Sequence, residues 1–326
     1  MKAILLREHG GVEGFDLAEI PHPVLQQGHV IIKVCASSVN PVDCKIRGGM
    51  LAAIGPDLPG VLHGDVAGIV TEVGSGEEGL EVGDEVYGCI GGFRDMPGVL
   101  SEYALADRKL LAKKPANLSM REAAVLPLIG ITSWNALIDR GSLAKGQRVL
   151  VHAGAGGVGH FGLQLAKALG AEVHTTISNE QKEVLAQDLG ADHVINYSKE
   201  NFAEKVKEIT NGVGVPVVYD GVGKKTFDGS IECLKVRGMM VSFGNASGPL
   251  DPVNVAKSIQ PKGLYLTRPS IMQYTTTREE LDEAANKVFE MASSGKVKVK
   301  ISKKYSLKDI AMAHKDLESR VLTGPA

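Results

Sequence analysis

Apolar and polar positions change rhythm along the chain. Up to about residue 118 the apolar residues come in short strand-like runs, at 1–6, 29–36, 66–73 and 84–87, punctuated by Gly and Pro. That pattern predicts a compact, barrel-like β domain. Ser119 and Glu122 then stand in capping-box spacing before the apolar run 123–128, which predicts a helix start and a domain boundary just before or within that helix. From 148 to about 260 the chain alternates. Strands are predicted at 148–152, 172–177, 193–196, 215–219 and 239–243, with helices at 158–169, 180–189, 202–210 and 225–234. Gly170 and Gly190 close the first two helices. Such alternation means parallel strands joined by crossover helices, an α/β doubly wound sheet. Beyond it lie a strand at 264–267 and helices at 278–293 and 307–318. The expected division is therefore 1–122, 123–262 and a C-terminal segment, 263–326, that rejoins the first domain.

Composition excludes classes without choosing a function. A chain of 326 residues fits about two domains. With 44% hydrophobic and 23% charged residues, each can bury a core. Net charge is −2 and the basic residues are scattered; the densest stretch, 296–304, alternates with Val and Ile like the solvent face of a strand. Nucleic acid is not an expected partner. No apolar run reaches the roughly 18–20 residues that span a bilayer, and charge comes too early for a signal peptide, so a cytoplasmic location is expected and no membrane partner. Cys35, Cys44, Cys89 and Cys233 show no paired CxxC spacing, which fits a reducing compartment. No solenoid or propeller repeat is present.

The chemistry starts directly after the strand at 148–152. Gly154, Gly156 and Gly159 form a GxGxxG that opens a helix, with Gly157 and Val158 between the last two glycines. The first glycine permits a tight turn, the second lets backbone approach a pyrophosphate, and the third lets helix and strand pack closely. The helix N-terminus turns unpaired N–H groups toward the phosphates. A glycine-rich loop that only joins strand to helix is the bland alternative, and the repeated βα units weigh against it. Cofactor choice turns on the end of the next strand, about 20 residues on, where NAD enzymes carry an acid for the ribose 2′-hydroxyl. Here Ser178 stands in that place, and Lys182, one helical turn later, supplies a countercharge for a 2′-phosphate. NADPH is the expected cofactor. Glu180 is the opposing residue: it either points to solvent or takes the acid's role.

At this point the sequence resembles a known family, the medium-chain dehydrogenases and reductases, in the zinc-independent quinone oxidoreductase branch that includes zeta-crystallin. The resemblance runs over nearly the whole chain, through segments 38–43, 152–159, 194–197, 241–245, 266–270 and 313–320. It implies a GroES-like β-barrel catalytic domain completed by both chain ends, a Rossmann domain, a homodimer built largely through the Rossmann sheets, and a site in the cleft between domains. It also implies roles. Lys182 and Tyr197 would grip the 2′-phosphate beside Ser178, while Gly157 and Val158 cover the pyrophosphate. Thr132, Val222, Phe243, Gly244 and Asn245 would line the path to the nicotinamide, closed by Asn40, Pro41, Val42 and Asp43. Relatives continue past Thr323-Gly324 into a final apolar strand, so this chain is expected to stop short of it, with an exposed sheet edge as the consequence.

Zinc-dependent relatives place a cysteine where this chain has Asn40 and a histidine where it has Gly64; His63 lies one residue early, which reverses its facing on an extended chain. No cysteine lies between Cys89 and Cys233 to serve as the third ligand. No metal is expected, and His63, Asp65 and Cys44 lack the spacing of a ligand set. Without a Lewis acid a simple ketone is a poor hydride acceptor. A quinone or enone delocalises the arriving charge, so NADPH-dependent quinone reduction is the expected function. Asn40 is the candidate donor to an acceptor oxygen, and Asp43 and Lys45 are candidate acids; Lys45 replaces the tyrosine found in close quinone oxidoreductases. The rivals are an alkenal or enone reductase, and a non-enzymatic nucleotide- or RNA-binding protein of the zeta-crystallin kind.

Overall fold

A computed structural model of the chain describes residues 1–76, 79–94, 96–270, 273 and 277–326. These divide into two compact units, Met1–Leu128 with Lys300–Ala326, and Ile129–Val299.

In the first unit the strands are β1 (Lys2–Leu6), β2 (Phe15–Glu19), β3 (His29–Ser37), β4 (Asp65–Val73), β5 (Glu85–Cys89), β6 (Tyr103–Asp107) and β7 (Leu111–Lys113). β1 and β2 form an antiparallel pair, and the other five make an antiparallel sheet in the order β6-β3-β4-β5-β7. Alternate residues of these strands, Val30 and Ile32, Val66 and Val70, Ala104 and Ala106, are buried together. That is the period-two signature of a sheet with one face inward. A second cluster joins Ile4, Leu6, Ile46 and Leu62 to Ile310 and Ala313 of the C-terminal helix Ile310–Glu318, which holds the chain end to this unit. β2, β6, β7 and the helix Pro41–Arg47 are not visible in the residue pattern. β2 is half polar and exists through its register with β1, Lys2 opposite Glu19 and Leu6 opposite Phe15.

The second unit carries β8 (Arg148–Val151), β9 (Glu172–Ile177), β10 (His193–Asn196), β11 (Val215–Asp220), β12 (Leu234–Ser242) and β13 (Tyr265–Thr267). All are parallel, in the order β10-β9-β8-β11-β12-β13. This is the Rossmann order, with the direction of winding reversing between β8 and β11. Val149, Leu150 and Val151 are wholly buried, as expected of a central strand covered on both faces.

Two expectations need correction. Residues 263–326 do not return together: β13 pairs with β12, Leu266 opposite Met240, so the return starts at Lys300. Leu264, packed in the second unit's core, anchors that strand start, and a three-residue strand gives no sequence signal of which sheet it joins. The boundary within the helix Met120–Trp134 falls at Leu128, after Pro127, and not at 122. Proline removes a helical N–H there, and the next one, of Leu128, donates to Asp65 Oδ1 at 3.2 Å. The capping box itself forms, with Ser119 N–H and Oγ both on Glu122 Oε2 and Glu122 N–H on Ser119 Oγ.

Candidate active site

The carboxyl ends of β8, β9, β11 and β12 meet at the switch point of the sheet, where open α/β sheets bind ligands. β8 runs out at Val151, and Ala153 then takes a left-handed turn at φ +54°. A Cβ on Gly154 would lie 2.2 Å from Thr175 Oγ1, and one on Gly159 only 2.1 Å from the Ala153 carbonyl oxygen. Both positions accept only glycine. Gly156 differs: its Cβ would touch just the Ala153 oxygen, at 3.2 Å, so its other side is open. That is the cradle a pyrophosphate needs, under the N-terminus of the helix Gly157–Ala168. A dinucleotide fits this loop.

At the adenosine end Ser178 follows β9, and Asn179 caps the helix Glu180–Asp188 by accepting from Lys182 N–H at 3.0 Å. The segment after β10 lies alongside, with Tyr197 N–H on Ile177 O at 3.1 Å and Ser198 Oγ on Ser178 O at 3.0 Å. Ser178 and Tyr197 are thereby neighbours across two strand ends. Tyr197 is 48% exposed, free enough to cover a ligand. Glu180 faces outward and pairs with Lys199 at 2.9 Å, which holds its carboxyl below the ordinary range.

At the nicotinamide end the loops after β11 and β12 close on each other. A Cβ on Gly244 would meet Gly221 O at 2.4 Å, and the Phe243 ring stacks on Tyr219 at 4.2 Å. Val222 N–H donates to Asp220 Oδ1 at 2.7 Å, and Asn245 is half-buried beside it. Thr132 is half-buried in its helix. Two features here escaped the sequence reading. Arg268 Nη1 reaches Ser242 O and Gly244 O, at 3.2 and 3.4 Å, tying down the Phe243 to Asn245 turn. Beneath the glycine loop runs a buried chain of polar groups: Thr176 Oγ1 on His152 Nδ1, His152 Nε2 on Ser230 Oγ, and Ser230 and Thr226 hydroxyls on Asp220 Oδ2. Burial lowers the His152 pKa, so the ring acts as a neutral connector. A lone His before GxGxxG and a lone Asp ending an apolar run were the available signals.

In the first unit Asn40 caps the helix Pro41–Arg47, and Asp43 Oδ2 accepts the Asn40 N–H at 2.7 Å. Pro41 is exposed and Val42 half-buried on the first turn. The Asn40 amide donates to Ser38 Oγ at 2.9 Å and to Asp65 Oδ2 at 3.0 Å. Those two acceptors are themselves joined, Ser38 Oγ donating to Asp65 Oδ2 at 2.8 Å, so both contacts fall on the same edge of the Asn40 amide and anchor it. Burial pushes Asp43 and Asp65 up to about 7. A catalytic zinc does not fit either. Asn40 serves its neighbours, Gly64 has no donor, and His63 Nε2 is bonded to His314 Nε2 at 2.9 Å. His314 Nδ1 in turn meets Cys44 Sγ at 3.3 Å. These groups are linked in a line and do not converge on one point.

Family models match both units: the alcohol dehydrogenase GroES-like domain over residues 26–116 and the zinc-binding dehydrogenase over 157–290. A quinone oxidoreductase of Salmonella typhimurium is 40% identical over 326 residues, spanning 98% of this chain and 97% of that protein. The solved structure of Escherichia coli quinone oxidoreductase complexed with NADPH superposes with a TM-score of 0.94 at 39% identity, over 100% of this chain and 99% of that one. The chain belongs to the quinone oxidoreductase family. Within the wider family of dehydrogenases and reductases, a 2-haloacrylate reductase of Burkholderia sp. is 35% identical over 99% of this chain and 97% of its own.

Proposed function

We propose that the protein reduces a quinone to its hydroquinone with NADPH, by hydride transfer and without a catalytic metal. The observation that supports this reading is the strand-end arrangement around Ser178: Glu180 pairs with Lys199, Ser198 bonds the Ser178 carbonyl, and Tyr197 N–H bonds the end of β9, which leaves Ser178, Lys182 and Tyr197 as the candidates for a 2′-phosphate. Two phosphate subsites follow, the 2′-phosphate at Ser178, Lys182 and Tyr197, and the pyrophosphate at Gly154, Gly156, Gly157, Val158 and Gly159. Bound NADPH supplies the hydride. The chain's own residues do the rest. Phe243, Gly244 and Asn245, braced by Arg268, hold the nicotinamide end with Val222 and Thr132. Pro41 and Val42 are the first unit's candidates for cofactor contact. Asn40 and Asp43 act as positioning residues that fix the start of their helix, and water delivers the proton that completes the hydroquinone.

Asn40 anchored on Ser38 and Asp65, His63 bonded to His314, and Gly64 without a side chain offer no ligand set for a Lewis acid, which favours an acceptor whose delocalised product charge needs none. Positioning of acceptor against cofactor is then the main source of rate. The relationship to a 2-haloacrylate reductase favours a second reading, reduction of an activated C=C bond. NADPH oxidation measured with a panel of quinones, 2-alkenals and 2-haloacrylates decides between them. Turnover confined to quinones is the expected result. Turnover confined to the alkenes replaces the first reading with the second, and tight NADPH binding without any turnover points to a non-enzymatic protein.

The same reading includes a cytoplasmic homodimer. No helix among the described residues is long and apolar enough to cross a membrane. β13 ends the described strand order with Tyr265 58% and Leu266 39% exposed, an edge suited to a second copy. The first unit's sheet and the β1–β2 pair are read as the GroES-like barrel, supported by the bridges Ala3 to Ser101 and Leu6 to Gly60. Light scattering of the purified chain tests the dimer.

A further inference from the structure

At the other ends of the same strands lies a cluster that the proposed reaction does not use. Glu172 and His174 are two residues apart on β9 and therefore share a face of the sheet. His193, on the neighbouring strand β10, is in register with His174, and the two rings stack at 4.6 Å. Glu172 Oε1 lies 3.3 Å from His174 Nε2 and 3.3 Å from His193 Nε2. Its other oxygen is held by Arg148 Nε at 3.0 Å, so Oε1 is the one that faces the histidines. Among the described residues, these three are the group whose His, Cys and acidic ligand atoms gather within 4.8 Å.

His174 makes the cluster unusual. Its side chain is 0% exposed, and neither ring nitrogen has a hydrogen bond; Nε2 approaches Glu172 without hydrogen-bond geometry. A buried imidazole with both nitrogens unsatisfied costs about 1–3 kcal/mol per orphaned group, which a ligand at Nε2 would recover in part. Glu172 Oε1, 3.3 Å from each of the two Nε2 atoms, has the spacing of a ligand pair with either. Ligand atoms about 2.0–2.2 Å from a tetrahedral zinc ion stand roughly 3.3–3.5 Å from one another.

We propose that Glu172, His174 and His193 form a binding site for one divalent transition ion, zinc foremost, that ties the edge strand β10 to β9. Two imidazoles and one carboxylate oxygen are a donor set for zinc and not for magnesium or calcium, which take oxygen ligands. Water completes the fourth position, since His193 is 37% exposed and opens the cluster to solvent. Nearby charges are already matched: Arg148 with Glu172, and Lys167 with Asp192, whose Oδ2 also accepts Val173 N–H. Asp192 is therefore not a fourth ligand. Six residues of extended chain separate Glu172 from Ser178, roughly 20 Å, so the site is separate from the nucleotide loop.

The test is calorimetric titration of the full, chelator-treated chain with zinc chloride, in the wild type, His193→Ala and Glu172→Gln, with NADPH affinity as the check that each variant is folded. One zinc per wild-type chain, a rise in Tm on saturation and at least a tenfold weaker Kd in both variants at unchanged NADPH affinity is the expected result. Absence of stoichiometric binding to the wild type, or equal zinc affinity in wild type and His193→Ala, overturns the proposal. Cobalt spectra add an independent check: a four-coordinate spectrum without thiolate bands supports the site, and thiolate bands assign the metal to a cysteine and overturn it.

Discussion

Gly159 faces the carbonyl oxygen of Ala153 so closely that a Cβ there would lie 2.1 Å from it. Both atoms sit on backbone that cannot swing aside, since Ala153 is already in a left-handed turn and Gly159 is in the first turn of a helix. Gly159→Ala should therefore cost about 1–3 kcal/mol by overpacking and pull the helix off the strand. Thermal melts should show the loss, and NADPH affinity should fall with it. An unchanged Tm and Kd would refute the close-packing role.

Lys182 supplies the countercharge of the proposed 2′-phosphate subsite. Lys182→Ala should weaken NADPH by about 1.5–3 kcal/mol, roughly ten- to a hundredfold in Kd, as expected for a hydrogen bond between charged groups. NADH, which lacks the phosphate, should bind the variant and the wild type alike. Fluorescence titration with both nucleotides measures this, and equal NADPH affinity in the two proteins would remove the phosphate assignment.

Arg268 braces the Phe243 to Asn245 turn through the carbonyls of Ser242 and Gly244. Its loss in Arg268→Ala should raise the NADPH Kd about fivefold, near 1 kcal/mol, with the adenosine end untouched. A lower Tm with an unaltered Kd would mean that the arginine serves stability alone.

The His63–His314 pair gives the first unit a pH dependence. In the unfolded chain both imidazoles take up protons near pH 6.5. Folded, desolvation holds His63 at about 3 and His314 lower still, with His63 and Arg47 adding to the effect on His314. The unfolded state thus binds more protons below pH 6.5, so the pair's stability is present above that pH and is lost as pH falls toward 3, at about 1.4 kcal/mol per unit for each ring. Asp43 and Asp65, raised to about 7, act in the opposite sense and lose their contribution as pH rises through 7. His63→Gln isolates the histidine part. In urea melts the stability gap between wild type and variant should narrow by about 1.4 kcal/mol per unit between pH 6.5 and 5; a constant gap would refute it.

Much of the second unit was legible because its signals are local. Val149 to Val151 announce a doubly covered strand, and Gly154, Gly156 and Gly159 announce the turn that follows, since each depends on neighbours only a few residues away. Other features depend on partners far along the chain. Glu180 pairs with Lys199, nineteen residues on, and the Asn40 amide is anchored on Asp65, twenty-five residues on. β13 could join either unit until it paired with β12. Glu172, His174 and His193 are unremarkable in the sequence and converge only because parallel register sets His193 beside His174. The sequence by itself determined the order of elements and the chemistry of the glycine loop, because backbone periodicity and glycine's missing Cβ are properties of short segments. Only the tertiary structure decided which polar atoms remain unpaired, because a hydrogen-bond partner is chosen by distance in space and not along the chain.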